Sequence, residues 1–153
     1  MLDLFWVRNV AGCEQPRSQE DMAALRLQNI NAILSLTEFP LEPGLAKGFR
    51  VCHVPVADYT APTIAQLYTC TEFLDDCVIK GQTPVVHCAM GRGRTGTVLA
   101  AWLISHGSAA GEALDEIRQA RPGAVETAFQ ESVLHDFETD VRRPQTRHPS
   151  SRD

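Results

Sequence analysis

The sequence has few cysteines, and their spacing matches no disulfide or zinc framework. Five cysteines occur among 153 residues, and no two of them form a C-x-x-C pair. The odd number argues against a set of disulfides, and the missing pairs argue against a structural zinc site. Four of the five are therefore expected to be buried structural thiols: Cys13, Cys52, Cys70 and Cys77.

Long hydrophobic runs are also missing. The longest later apolar stretch, residues 98–104, is far shorter than the ~20 residues that a membrane-spanning helix needs. The N-terminus has Asp3 where a secretory signal has lysine or arginine, and its apolar run is too short for such a signal. We expect a soluble, cytoplasmic protein without a membrane span.

Most of the chain has no excess of positive charge and is acidic. Residues 1–140 contain 10 basic and 18 acidic side chains, a net charge of −8, whereas residues 141–153 contain four arginines and one aspartate. Such an acidic body argues against a nucleic-acid partner. The final segment has no apolar periodicity, which is typical of disorder. We therefore predict one domain over residues 1–140 and a disordered basic tail over residues 141–153.

Apolar patterning predicts strands that alternate with helices. This alternation is typical of an α/β fold, here with a mostly parallel central sheet of four to five strands flanked by helices. Ligands of such sheets bind at the carboxyl ends of the strands. Two loops that follow strands, residues 57–62 and 88–94, carry side chains suited to chemistry. The predicted strands are residues 2–7, 30–36, 50–56 and 84–88, and the predicted helices are residues 19–28, 63–79, 95–105, 108–120 and a last one from about residue 126.

The segment HCAMGRGRTG at residues 87–96 holds the strongest functional signal. It places Cys88 and a glycine-rich loop between an apolar run, residues 84–86, and a helix from Thr95. A loop that connects a strand to a helix directs backbone N–H groups and the positive end of the helix dipole at one point. Such a loop binds an oxyanion, and Cys88 at its start is a candidate nucleophile.

A dinucleotide site is one interpretation of the glycines, because residues 91–96 read G-x-G-x-x-G. That fold needs a second βαβ half and an acidic residue at the end of the next strand. Only helices are predicted after Thr95, and Asp115 and Glu116 lie in a helical pattern. The lysine of a nucleotide-binding P-loop is missing as well. The pattern therefore favours an oxyanion loop of another kind.

The motif H-C-x-x-G-x-x-R-T at residues 87–95 resembles the signature of the protein tyrosine phosphatase superfamily. Residues 1–140 as a whole resemble a small atypical dual-specificity phosphatase, and RPGAVET at residues 121–127 resembles a segment of its compact members. The resemblance implies a cysteine-dependent phosphatase fold with a single catalytic domain. It also implies that phosphomonoesters are hydrolysed through a phosphocysteine intermediate.

The resemblance implies a role for each side chain of the motif. Cys88 is the expected nucleophile, and Arg94 is expected to bind two phosphate oxygens through its planar guanidinium. Thr95 is expected to donate a hydrogen bond to the sulfur as it departs, and His87 to order the loop rather than transfer protons. The backbone N–H groups around the phosphate are expected from Ala89, Met90, Gly91, Arg92, Gly93 and Arg94.

Proton transfer needs polar groups from outside the motif. In this superfamily an aspartate on a separate loop protonates the leaving group, and Asp58 matches that place after the third predicted strand. Glu38 and Glu42 are weaker candidates for the same role. Glu126 and Gln130 are candidates to orient the water that hydrolyses the phosphocysteine. No metal and no cofactor are expected, because the loop and its arginine supply the positive charge.

The loop also bears on the substrate. Arg92 adds one positive charge at the rim, and Met90 stands where lipid phosphatases of the tensin-homologue type usually have a basic residue. We therefore expect a phosphorylated protein or peptide as substrate, with phosphotyrosine and also phosphoserine or phosphothreonine. A phospholipid head group such as a phosphoinositide, a small phosphorylated metabolite, and a binding module without turnover are the alternatives. The sequence gives no signal for an oligomeric state.

Overall fold

Five strands form one sheet in the order β1-β2-β5-β3-β4 in the computed structural model, which describes residues 1–144. The strands are β1 (Phe5–Val7), β2 (Val10–Cys13), β3 (Ala32–Ser35), β4 (Arg50–His53) and β5 (Pro84–His87). The helices are α1 (Gln19–Leu27), α2 (Ile64–Ile79), α3 (Gly93–Ser105), α4 (Ala110–Ala120) and α5 (Ala128–Arg142).

The sheet confirms the expected α/β fold with a mostly parallel sheet. β2, β5, β3 and β4 run parallel to one another, and the edge strand β1 is antiparallel to β2. One face of the sheet packs against α1 through Met22 and Leu25, and the other face is covered by the larger core that α2, α3, α4 and α5 form. Both faces are thus buried, as parallel sheets require.

Strand β2 is the element that the sequence pattern does not predict. Its sequence VAGC contains alanine and glycine, which have low strand propensity, and all four residues are buried. Pairing with β1 and β5 stabilises it instead. The single strand predicted over residues 2–7 is therefore a hairpin, with Arg8 at a φ of 55° in the turn between Val7 and Val10.

The register of the parallel strands aligns their carboxyl ends. Cys13 and Ser35 both pair with His87, and Ser35 also pairs with His53. The loops that follow β2, β3, β4 and β5 therefore leave the sheet at the same edge. This alignment determines where side chains of those loops meet.

Helix α3 lies at the centre of the core. All of its residues from Gly93 to Ile104 are buried, between the sheet and helices α2, α4 and α5. A helix that is surrounded in this way is apolar on every side, which the sequence of α3 shows. It begins two residues before its predicted start at Thr95, so the last residues of the glycine-rich loop are its first turn.

Helix α5 runs past the end of the predicted domain. A capping box at Thr127 starts it, so the helix itself begins at Ala128 rather than at residue 126. The helix includes Val141 and Arg142, which the sequence assigns to the tail, because helical hydrogen bonding continues to that point. The rest of the predicted tail, from residue 145, lies outside the described residues.

The five cysteines are free thiols. Cys13, Cys70 and Cys77 are buried and Cys52 is partly exposed, and burial raises the pKa of all four, that of Cys70 to about 12. Within residues 1–144, no three histidine, cysteine or acidic side chains are placed to hold a metal ion. No helix in that range is long and apolar enough to cross a membrane.

Leu103 tests the assignment of α3 to the core. Its side chain is fully buried, so Leu103→Ala removes buried apolar surface and leaves a cavity. We expect the free energy of unfolding, measured by urea denaturation, to fall by about 2–5 kcal/mol. Leu27→Ala is the matched control, because Leu27 is 82% exposed, and we expect a change below about 0.5 kcal/mol. Equal losses in the two variants would contradict the position of α3.

Candidate active site

The glycine-rich loop holds the sulfur of Cys88 at the N-terminus of α3. The chain leaves β5 at His87, turns through five residues and enters α3 at Gly93. The Gly91 N–H lies 3.2 Å from Cys88 Sγ and donates to it. Cys88 lies at the base of the loop and is 2% exposed. A helix N-terminus and an N–H donor directed at one sulfur both stabilise negative charge there.

Two glycines allow the loop to pack closely on its neighbours. Gly91 has a φ of 75°, and a Cβ there would lie 2.6 Å from the carbonyl carbon of Cys13. A Cβ on Gly93 would overlap Glu126 Oε1. The loop therefore rests on the end of β2 on one side and meets the segment before α5 on the other, and side chains at these two positions would separate them.

Arg94 projects from the first turn of α3 and is 1% exposed. Its Nη1 donates to Glu38 Oε1 at 2.9 Å and to the Val56 carbonyl at 2.8 Å. Its Nη2 lies 3.2 Å from Asp58 Oδ1. The guanidinium therefore joins the loop after β3, the loop after β4 and the glycine-rich loop after β5.

One edge of the Arg94 guanidinium has a donor without a partner. Both hydrogens of Nη1 are used, whereas Nε is buried and has no hydrogen-bond partner among the described residues. The hydroxyl of Thr95, the next residue, is also buried and unpartnered there. Nε and Nη2 together form the planar two-donor edge that binds two oxygens of a phosphate. Leaving such donors unsatisfied costs about 1–3 kcal/mol each, so the site fits an anion.

Asp58 lies where the sequence predicts it, in the loop that follows β4. Its backbone N–H donates to Glu38 Oε2 at 3.1 Å, and its own Oδ1 accepts from the Tyr59 N–H at 2.9 Å. Its side chain is close to half exposed and faces a cleft of about 340 Å³. The cleft is lined by Gln15, Thr37, Glu38, Phe39, Pro40, Asp58, Ala89 and Arg94.

Glu38 and Glu42 have different places in the structure. Glu38 contacts Arg94 and the backbone of Asp58, whereas Glu42 is exposed and does not line the cleft. Hydrogen bonds from its own N–H, from the Asp58 N–H and from Arg94 hold the pKa of Glu38 below its usual value. Glu38 is therefore ionised at neutral pH, which suits a partner of Arg94 better than a proton donor.

Glu126 and Gln130 both lie beside the glycine-rich loop, at the start of α5. Gln130 is fully buried, and its Oε1 accepts from the N–H groups of Glu126 at 2.8 Å and Thr127 at 3.1 Å. Its Nε2 donates to the Thr60 carbonyl at 3.2 Å. The amide of Gln130 thus ties α5 to the loop of Asp58, while the carboxylate of Glu126 reaches Gly93.

Arg121 is a residue of the site that sequence analysis does not single out. Its Nη2 donates to the Met90 carbonyl at 3.1 Å, which fixes the glycine-rich loop from outside. The Gln15 N–H donates to the Ala89 carbonyl at 3.2 Å, which is a second contact that holds the loop. The only sequence signal for Arg121 is its position at the start of the RPGAVET segment.

Residues 11–108 match the family described as the DSP-PTPase phosphatase of polymorphic toxin systems. The chain belongs to this family. It is 35% identical to the solved structure of Tk-PTP in its active form, with a TM-score of 0.79, over 85% of this chain and 91% of that one. The expected resemblance to small dual-specificity phosphatases and the expected phosphatase fold are thereby confirmed.

Curated relatives of this phosphatase-family chain are longer than it is. It is 29% identical over 127 residues to the phosphatidylglycerophosphate phosphatase PTPMT2 of Arabidopsis thaliana, which is 78% of this chain and 55% of that protein. It is 35% identical over 119 residues to cyclin-dependent kinase inhibitor 3 of Homo sapiens, which is 72% of this chain and 54% of that protein. The chain therefore spans about half the length of these two relatives.

His87 is a buried, neutral side chain at the end of β5. It is fully buried, its Nδ1 lies 3.2 Å from the Cys88 carbonyl, and its Nε2 has no partner among the described residues. Burial lowers the pKa of His87 to about 4, and the charge of Arg94 contributes to the same shift. The imidazole is therefore uncharged at neutral pH and donates from Nδ1 to the carbonyl. That His87 orders the loop stays a prediction.

The buried imidazole predicts a loss of stability in mild acid. The unfolded chain binds a proton at His87 below about pH 6.5, whereas the folded protein does so only near pH 4. The free energy of unfolding therefore falls as pH decreases between these values, by about 3 kcal/mol from this residue. Urea denaturation at pH 7 and pH 4.5 measures the difference.

His87→Gln is expected to reduce that pH dependence by about 2–3 kcal/mol. His135→Gln, at an exposed histidine of α5, is the control and should leave it unchanged. The same pH dependence in His87→Gln and in the unmodified protein would contradict the burial of an uncharged imidazole.

Proposed function

We propose that this protein is a cysteine-dependent phosphomonoester hydrolase that acts on phosphotyrosine and on phosphoserine or phosphothreonine in proteins. One observation carries the proposal. The Cys88 sulfur, with the Gly91 N–H directed at it, shares a loop with a buried Arg94 whose Nε is unpartnered. A nucleophile and a phosphate-binding edge are thus placed at one helix N-terminus. The family match and the Tk-PTP likeness support the same chemistry.

In the first step the Cys88 thiolate attacks phosphorus. Arg94 binds two of the non-bridging oxygens through Nε and Nη2, and the backbone N–H groups of residues 89–94 bind the oxygens from below. Glu38 and the Val56 carbonyl hold the Arg94 guanidinium in place before the substrate arrives, so charge that develops on the oxygens is stabilised with little movement of this side chain.

The leaving oxygen takes a proton from Asp58. The bond from phosphorus to this oxygen breaks as the bond to Cys88 Sγ forms, which leaves a phosphocysteine and a neutral alcohol or phenol. Asp58 and Arg94 both line the cleft, together with Ala89, the residue that follows Cys88. The contact of Asp58 with Arg94 Nη2 is replaced when the phosphate binds that edge, and its carboxyl group is then free to face the leaving oxygen.

In the second step water attacks the phosphocysteine. Asp58, now ionised, accepts a proton from this water, and Glu126 orients the water from the side of Gly93. The phosphorus–sulfur bond breaks, inorganic phosphate leaves, and the buried hydroxyl of Thr95 donates to the departing thiolate. Gln130, whose amide is occupied by backbone groups, supports this step by holding Glu126 and the Asp58 loop in place.

A lipid phosphomonoester is the second candidate substrate. The relative named phosphatidylglycerophosphate phosphatase PTPMT2 favours it, and so does the apolar rim, where Phe39, Tyr59 and Met90 are exposed. Two carboxylates, Glu38 and Asp58, line the same cleft, which disfavours a head group with several phosphates. Kinetics on phosphopeptides, phosphatidylglycerophosphate and phosphoinositides, at equal concentrations, distinguish the candidates. Faster turnover of a lipid than of every phosphopeptide would overturn the protein-substrate proposal.

Cys88→Ser is expected to lower turnover of p-nitrophenyl phosphate by on the order of a thousandfold or more, since a hydroxyl is a far weaker nucleophile than a thiolate. The assay contains a chelator and no added metal. Calorimetric binding of inorganic phosphate should persist, because the loop and Arg94 are unchanged.

Cys52→Ser is the matched control, because Cys52 is a partly exposed thiol on β4, away from the cleft. Turnover in Cys52→Ser should stay within twofold of the unmodified protein. Undiminished activity in Cys88→Ser would show that Cys88 is not the nucleophile. Loss of activity on adding the chelator would indicate a metal-dependent reaction instead.

Asp58→Asn is expected to slow substrates according to their leaving groups. Phenyl phosphate, whose leaving group needs a proton, should slow by about 10²- to 10⁴-fold, and p-nitrophenyl phosphate by much less. Asp115→Asn, at an exposed aspartate of α4, serves as the control and should affect neither substrate. An equal loss for both substrates would assign Asp58 to positioning rather than to proton transfer.

A further inference from the structure

The peptide bond between Met90 and Gly91 is held at both of its polar ends. Its N–H, on Gly91, donates to Cys88 Sγ at 3.2 Å. Its carbonyl, on Met90, accepts from Arg121 Nη2 at 3.1 Å. The N–H and the carbonyl of a trans peptide point in opposite directions. The contact with Arg121 on the outside of the loop therefore fixes the direction of the N–H on the inside.

Local sterics do not fix this peptide. Gly91 has no side chain and adopts positive and negative φ about equally well, so rotation of the peptide plane meets little resistance from it. The side chain of Met90 is 60% exposed and is not held by packing. In the rotated peptide the Met90 carbonyl would face the Cys88 sulfur, and its partial negative charge would oppose a thiolate and a phosphate.

Arg121 is itself held firmly. It follows the last turn of α4, and its side chain is 13% exposed. Its Nη1 lies 2.6 Å from Asp3 Oδ2, and its guanidinium lies over the Phe5 ring at 5.7 Å from the centroid. A planar guanidinium held on one side by Asp3 presents its other donors in a fixed direction, and one of them meets the carbonyl of Met90.

We propose that Arg121 is a positioning residue that locks the Met90–Gly91 peptide with its N–H toward the Cys88 sulfur. This inference deepens the proposed function and rests on it. Arg121 contacts neither the sulfur nor the phosphate, and it acts through the peptide alone. Phe5 of β1 and the nearby Asp3 contact the arginine, so β1 contributes to this arrangement.

Arg121→Met keeps much of the side-chain volume and removes the donor. We expect kcat for p-nitrophenyl phosphate to fall by about 10- to 100-fold, because a donor to the developing charge is lost, with a smaller change in KM. The rate at which iodoacetamide alkylates Cys88 at neutral pH should fall by about tenfold, because the thiolate loses a hydrogen-bond donor. In NMR spectra, the Gly91 amide resonance should follow the ionisation of Cys88 in the unmodified protein and cease to do so in the variant.

Arg8→Met is the matched control, because Arg8 also pairs with an acidic residue across the β1–α4 interface, Glu116, but lies on the surface. It should leave all three readouts unchanged. If Arg121→Met does not fold, as judged by urea denaturation, Asp3→Asn loosens the same guanidinium and should change the readouts in the same direction, to a smaller extent. A variant whose Gly91 amide still follows Cys88 and whose kcat changes by less than twofold would overturn the inference.

The alkylation and NMR readouts need no turnover. Absence of phosphatase activity in the unmodified protein would therefore contradict the proposed function without deciding the role of Arg121. Conversely, if Arg121→Met has normal activity and its Gly91 amide resonance still follows the ionisation of Cys88, only the role of Arg121 is contradicted.

Discussion

The buried charge of Arg94 is the constraint on which the rest of the site depends. A guanidinium that is 1% exposed needs partners, since a buried charge without a partner destabilises the folded state. The partners are Glu38, in the loop after β3, and the Val56 carbonyl and Asp58, in the loop after β4. Arg94 thus links the three loops that follow β3, β4 and β5, and the cleft lies between them.

The three acidic side chains near the glycine-rich loop have different environments. Glu38 receives hydrogen bonds from backbone and from Arg94 and is kept ionised, so it remains a partner of the arginine. Asp58 lines the cleft, where a leaving group of the substrate would lie in the proposed reaction. Glu126 lies just before α5, and its carboxylate is beside Gly93. In the proposed reaction, proton transfer and water orientation are thus assigned to different elements around one sulfur.

The glycine-rich loop needs glycine for its shape and other contacts for its rigidity. Gly91 lets the loop lie against the end of β2, yet glycine by itself leaves the peptide plane free to rotate. Hydrogen bonds to the loop carbonyls, from Gln15 on one side and Arg121 on the other, supply the missing restraint. The segment after β2 and the segment after α4 therefore hold the loop in the conformation that directs its N–H donors toward one anion.

Local patterns in the sequence determined the α/β class, most of the helices and strands, and the loop at residues 87–95, because these depend on residues close in the chain. The resemblance to the phosphatase superfamily implied Asp58 as the acid, and this role stays a prediction. The sequence missed β2, whose alanine and glycine carry no strand pattern and are held by neighbouring strands. Only the tertiary structure decided that Glu38 pairs with Arg94 and that Arg121 contacts the loop, since such contacts between distant residues exist only after the sheet has aligned its loops.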